Sequence, residues 1–206
     1  LERFPRAETT PGTPGSTVSP FGQNILEADR CAFGTLLRRI REIDGNDHTV
    51  VLVQVENESG VLNAPRDYPA AAQAAFEAEV PESLIAGLDE RGDELHPDMR
   101  AARERTGWRK EGSWSDVFGV DADEAFMAWH IASFIQSIAA AGREEYNLPM
   151  FTNAWLPGGP GFPPGKYPSG GPIPKMLDIW SIAAPALDIM APDVYQSNFR
   201  EHCAAF

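Results

Sequence analysis

Two glutamates and an asparagine, Glu56, Asn57 and Glu58, close a β-branched run, V-V-L-V-Q-V-E-N-E from Val50 to Glu58. Carboxyls so placed can donate or accept protons in general acid–base chemistry. The run reads as a strand, whose side chains alternate between two faces. One parity holds Val51, Val53 and Val55. The other holds Val50, Leu52, Gln54, Glu56 and Glu58, and turns acidic toward its C-terminal end. Flanking helical patterns place the strand in an α/β fold with both sheet faces covered. Buried carboxylates there need a reason, because an unpartnered buried charge is costly. The rim of a (β/α) barrel supplies one, since such barrels carry their sites at the C-terminal ends of the strands. Glu58 is expected at that rim, with Glu56 one layer deeper.

The elements that must position these residues are set by periodicity. Residues 1–24 are rich in Pro, Gly, Ser and Thr and read as an extended arm. A helix is predicted from Ile25 to Ile43, with Phe33, Leu36, Leu37 and Ile40 on one face. The turn residues D-G-N-D end it, and the strand comes next. Residues 59–120 form a long excursion with short helices at Ala70–Ala78, Pro81–Leu88 and Pro97–Arg105. Asp121-x-x-Glu124 resembles a capping box opening a helix over Ala122–Gly142, with Met127, Ile131, Phe134 and Ile138 on one face. Strands are predicted at Leu148–Trp155 and Leu187–Tyr195. Between them lie a Gly/Pro-rich loop at 157–172 and a helix at Pro174–Ala184. Helix alternating with strand implies a parallel sheet with right-handed crossovers. The strands end in Asn57 and Glu58, Asn153 and Trp155, then Asp193 and Tyr195, which favours a barrel over a doubly wound sheet. No G-x-G-x-x-G or P-loop is present.

Composition narrows the partners. The 206 residues, 43% hydrophobic, suffice for one sizeable core. A formal net charge of -13 argues against nucleic acid and against an anionic membrane surface. The apolar runs read as too short to span a bilayer. Cys31 and Cys203 lack metal or redox spacing and read as two unpaired thiols, although one disulfide stays open. His48, His96 and His202 are scattered and His130 sits mid-helix, so no metal or cofactor is expected. No secretory signal is visible, and a chain starting at Leu1 is a mature form, an excerpt or an incompletely known sequence.

V-Q-V-E-N-E-S-G resembles the acid/base segment of glycoside hydrolase family 35, the β-galactosidases, which are retaining enzymes on (β/α)₈ barrels. The likeness extends in order through D-E-A-F-M-A-W-H, L-P-M-F-T-N-A-W-L, Y-P-S-G-G-P-I-P-K-M-L-D-I-W and A-P-D-V-Y, from about Ser19 to the end. The resemblance implies that Glu58 is the general acid/base and that Asn57 contacts the sugar 2-hydroxyl. It implies that Tyr195 carries the hydroxyl that hydrogen-bonds the nucleophile, and that Asn153 and Trp155 form the fifth-strand rim. Trp108 and Trp114 are expected to stack on sugar C–H faces. The family nucleophile, a Glu ending the seventh strand, has no counterpart before Phe206, and Glu201 lacks strand context. The chain therefore reads as part of a barrel, roughly the third loop through the sixth strand. It belongs to a longer polypeptide, pairs with another chain, or is truncated.

Plainer roles are expected for several residues. Glu56 reads as structural, Trp129 and Trp180 as packing residues, and Asp193 as either a rim or a turn residue. Asn57-Glu58-Ser59 is a glycosylation sequon in an unsuitable place. The leading expectation is a β-galactoside hydrolase whose partner is a β-galactoside or oligosaccharide. Its alternatives are a non-catalytic carbohydrate-binding or interaction remnant, and a barrel hydrolase with another sugar preference.

Overall fold

The computed structural model describes residues 4–159 and 161–206, so the first three residues of the predicted arm and Pro160 of the Gly/Pro loop lie outside it. The rest of the arm is a β-hairpin rather than a loose extension. β1 (Arg6–Thr10) and β2 (Thr13–Val18) pair antiparallel. A distant anchor explains the difference. Asp67 accepts the Glu8 amide (2.8 Å) on Oδ1 and the Ser19 hydroxyl (2.6 Å) on Oδ2. Ala7 and Ser19 are buried as a result. No local pattern in a Pro/Gly-rich segment announces a partner sixty residues away.

Helix α1 (Gln23–Asp44) packs along the long α6 (Ala122–Glu145). Leu37 is buried and Phe33 and Ile40 partly so, whereas Leu36, expected on the same face, is exposed. The close approach depends on Gly142, where an added Cβ would lie 2.4 Å from the Phe33 ring. At the end of α1 the Asp44 carboxylate accepts the Thr49 and Val50 amides, both at 2.9 Å. That steers the chain into β3 (Val53–Gln54).

The excursion folds into α2 (Ala70–Glu77), α3 (Glu82–Arg91), α4 (Pro97–Arg105) and α5 (Trp114–Phe118). The capping box expected at Asp121 and Glu124 is instead made by Ser113 and Asp116 ahead of α5. Asp121 pairs with Arg105, and Glu124 is drawn into the core by Tyr167 and Lys175. The helical stretch Trp114–Glu145 is long and apolar enough to cross a bilayer, unlike the short runs read from sequence. More than half of its most apolar window is buried within the protein, as befits a core helix. Trp114, Phe126, Met127 and Ile135 are its main anchors. Each contributes about 1.5–3 kcal/mol through burial.

β4 (Met150–Trp155), α7 (Leu177–Ala183), β5 (Ile189–Asp193) and α8 (Phe199–Ala204) complete the chain. The result is a mixed α/β fold with a three-stranded parallel sheet ordered β3-β4-β5 and flanked by helices. Among the described residues no barrel closes. The register pairs Val53 with Met150, Gln54 with Phe151 and Asn153 with Ala191. Met150, Thr152 and Ala154 thus share one face and are buried. Gln54, Phe151, Asn153, Trp155, Ile189 and Asp193 share the other, where Trp155 and Ile189 are exposed. Of these, Asn153 alone is buried, at 5% exposure.

Candidate active site

The strand carrying the carboxyls is shorter than its sequence suggests. Its ladder ends where the Val55 amide donates to the Phe151 carbonyl (2.8 Å). Beyond it, Glu56 and Glu58 both take positive φ, 60° and 45°. A left-handed conformation costs a non-glycine residue about 1–2 kcal/mol. Two such residues around Asn57 cancel the strict alternation expected for a strand. Glu56 is therefore not a deeper layer beneath Glu58. It is exposed beside Glu58 on a cavity that Asp29 of α1 also lines.

One buried amide ties the strand ends together. Asn153 Oδ1 accepts the Glu58 backbone N–H (2.8 Å) and the Gln54 side-chain amide (3.2 Å). Its Nδ2 donates to Asn57 Oδ1 (3.0 Å) and to Asp193 Oδ2 (2.6 Å). Gln54 Nε2 also donates to the Glu56 carbonyl (2.9 Å) and to Asn57 Oδ1 (3.0 Å). The C-terminal ends of all three parallel strands are thus joined by side-chain amides. Tyr195, just past β5, donates its hydroxyl to Glu58 Oε1 at 3.0 Å.

The Glu58 carboxyl is held above its ordinary range, first by burial and then by hydrogen bonding to Asp193 and by that residue's charge. The Tyr195 hydroxyl acts in the opposite sense, because donation to the carboxylate favours the ionised form. Tyr195 is itself raised, chiefly by its hydrogen bond to Glu58. Glu56, though its surface is open to solvent, is raised by the desolvation of its packed surroundings and then by Asp29, and Asp29 by burial. Glu58 also borders the cavity of about 290 Å³ that Asp29 and Glu56 share. Val18, Ile131, Phe134 and Ile135 supply its apolar walls. A carboxyl with raised proton affinity beside a concave surface is suited to proton donation.

Of the site residues read from sequence, Glu58, Asn57, Asn153 and Tyr195 are brought together. Trp155 stands at the same rim, 42% exposed, opposite Asp193 in the ladder. The two other tryptophans are elsewhere. Trp114 is 1% exposed and packs on Phe118 and Phe126, so it has no face to offer a sugar. Its loop-like Gly and Ser neighbours concealed that a helix begins at this residue. Trp108 lies half-buried over the Arg103 guanidinium and is not among the residues bordering the Glu58 cavity. Asp193, open between rim and turn, is a rim residue joined to Asn153.

Two further contributors, Gln54 and Asp29, do not stand out in the sequence. Gln54 is legible in principle, because it shares parity with the acidic end of the run. Asp29 sits on a charged helix face, and only the packing of α1 brings it to the cavity. His130 lies in an aromatic enclosure of Phe21, Phe126 and Trp114, and burial lowers it to about 4. Among the described residues, no three His, Cys, Asp or Glu side chains are grouped to hold a metal ion. Cys31 and Cys203 are free and exposed. No protein-family model matches the chain, and no curated protein matches it significantly.

Proposed function

We propose that the chain is the acid/base-bearing part of a retaining glycoside hydrolase acting on β-galactosides, with Glu58 as the proton donor. One observation carries this reading: a carboxyl with a raised proton affinity stands at the C-terminal edge of a parallel sheet, bordering a cavity and held by a tyrosine hydroxyl. The resemblance of the ordered sequence strings is the basis for naming β-galactosides. In this reading the three strands are an arc of a (β/α)₈ barrel. Glu58 passes its proton to the glycosidic oxygen as the C–O bond breaks, and later removes a proton from the incoming water. Asn57 meets the sugar 2-hydroxyl, while Asn153 holds the Glu58 backbone and Trp155 offers a ring at the rim. Retaining chemistry also needs a nucleophilic carboxyl about 5–5.5 Å from the donor. The resemblance assigns it to a strand beyond β5.

The test is turnover of two aryl β-galactosides by the wild type and by Glu58→Gln. With a poor leaving group the variant loses roughly 10²–10⁴-fold in rate. With an activated leaving group, which departs unaided, the loss in bond cleavage is much smaller. Equal rates for variant and wild type on the poor leaving group would sink the assignment.

A second reading, a non-catalytic carbohydrate-binding remnant, has one observation in its favour. Asp193, whose charge acts on Glu58, has its Oδ2 engaged by Asn153 Nδ2 (2.6 Å) and does not border the cavity, so it is not placed to attack a sugar there. Saturable binding of a galactoside by wild-type protein that turns over no aryl glycoside would establish this alternative.

A further inference from the structure

We propose that Gln54 is a positioning residue for Asn57: together with Asn153 it takes up the Asn57 carbonyl, so that Asn57 meets a ligand with N–H donors alone. The proposal rests on the reading of the strand ends as a sugar site, and its geometric half is testable without that reading. The starting point is the turn after β3. Glu56 and Glu58 sit at positive φ, 60° and 45°, on either side of Asn57. Backbone persists in that region where its surroundings over-determine it. Two side chains do so here. Gln54 Nε2 donates to the Glu56 carbonyl at 2.9 Å, and Asn153 Oδ1 accepts the Glu58 N–H at 2.8 Å. Gln54 is the last residue of β3 and pairs with Phe151 of β4, so the clamp is built on the sheet itself.

Those two backbone contacts fix the orientation of every amide between them. A backbone carbonyl only accepts, so Gln54 turns its nitrogen toward Glu56. A backbone N–H only donates, so Asn153 turns its oxygen toward Glu58 and its nitrogen toward Asn57 and Asp193. Asn57 must then offer its oxygen. Its Oδ1 accepts from Asn153 Nδ2 and from Gln54 Nε2, both at 3.0 Å. A carbonyl oxygen has two lone pairs, so both are used. Asn57 Nδ2 is left without a hydrogen-bond partner among the described residues. Asn57 is exposed and borders the cavity. What it offers there is two N–H donors and no acceptor. A ligand oxygen at that point has to accept, and a hydroxyl must send its own proton elsewhere. Removing the Gln54 amide frees one lone pair of Asn57 and unfastens the Glu56 carbonyl, so the Asn57 amide can rotate.

The experiment has two arms. The first is hydrogen exchange of the side-chain amides of the whole ¹⁵N-labelled wild-type chain, read by NMR. The Gln54 and Asn153 NH₂ groups are expected to exchange slowly, and the Asn57 NH₂ group at the rate of a free amide. A protected Asn57 amide, or a Gln54 amide as fast as a free one, would overturn the proposal. The second arm is a double-mutant cycle on an aryl β-galactoside. Gln54→Met keeps the side-chain length and removes the donor, and should lower kcat/KM by about tenfold. In an Asn57→Ala background the same change should add nothing, because Gln54 acts through Asn57. An equal loss in both backgrounds would make Gln54 a merely structural residue. Asn57→Asp, which sets an acceptor where the donor stood, should be no better than Asn57→Ala; wild-type kcat/KM in that variant would refute donation. Should Gln54→Met fail to fold, the wild-type exchange rates and Asn57→Asp decide. The expected exchange pattern in a protein without turnover sinks only the hydrolase reading, and turnover with the reverse pattern sinks only the clamp.

Discussion

Among the described residues, two glutamates accept a tyrosine hydroxyl, in opposite settings. Glu124, 1% exposed within α6, takes the Tyr167 hydroxyl on Oε1 at 2.7 Å and the Lys175 ammonium on Oε2. Glu58, half-buried at the sheet edge, takes the Tyr195 hydroxyl at 3.0 Å and has Asp193 where Glu124 has a lysine. In the interior the tyrosine is buried, and desolvation and then Glu124 push its hydroxyl far above the ordinary range. At the rim Tyr195 is 74% exposed. The difference is the countercharge. A buried carboxylate matched by a cation has its charge countered at the contact itself. A carboxyl facing another acid is held above its ordinary range, and an opening to solvent gives its proton a way out. The motif Glu–Tyr thus signals function only through its third member.

The largest perturbation of this contrast comes from removing the interior cation. Lys175→Met strands the Glu124 charge and should lower stability by about 3–5 kcal/mol, read by urea denaturation. A loss below about 1 kcal/mol would show that the Lys175–Glu124 pair does not hold the interior, and the contrast would fail.

His130 tests the same logic for a base. Its enclosure keeps it neutral down to about 4, whereas an unfolded imidazole takes its proton near 6.5. Between those values the unfolded state binds the extra proton. Stability therefore falls as pH drops from 6.5 toward 4 and is fully present above 6.5. The contribution is about 2 kcal/mol after allowance for partial exposure. His130→Phe should flatten that part of the curve in denaturation measured at pH 7 and pH 5. An unchanged slope would mean that the ring is solvated.

At the rim, Asn153→Ala strips partners from Asp193, Asn57, Gln54 and the Glu58 amide together. A cost of about 2 kcal/mol is expected, smaller than for the interior pair because water can replace the lost hydrogen bonds. A larger loss than that of Lys175→Met would reverse the ranking of the two regions.

The smallest effect has the opposite sign. Glu56 sits at φ 60° and its side chain makes no hydrogen bond or ion pair among the described interactions. Glu56→Gly should stabilise the fold by up to about 1 kcal/mol, by relieving backbone strain and the repulsion from Asp29. Destabilisation would assign Glu56 a structural role that its geometry does not suggest.

Much of the scaffold was legible along the chain. The segment Pro97–Arg105 and the helices around α1 and α6 are marked by apolar spacing and flanking Pro or Gly residues. The helix–strand alternation led to a parallel sheet, and the polar strand ends led to Glu58, Asn57, Asn153 and Tyr195. Closure into a barrel does not occur among the described residues, and the run Val50–Glu58 contributes a strand only at Val53–Gln54. Residue type alone did not separate Trp114, a core anchor, from Trp155, a rim residue.

The one-dimensional pattern determined which residues are apolar, where helices and strands recur, and which side chains can carry a proton. Those properties depend on covalent chemistry and on neighbours within a turn or two. Tertiary structure decided which carboxyl received a lysine and which received another acid. It also joined Asp67 to the hairpin, Asp29 to the cavity and Asn153 to three strand ends. These are encounters between segments dozens of residues apart. Proton affinity and burial depend on that surrounding field, which no local periodicity encodes.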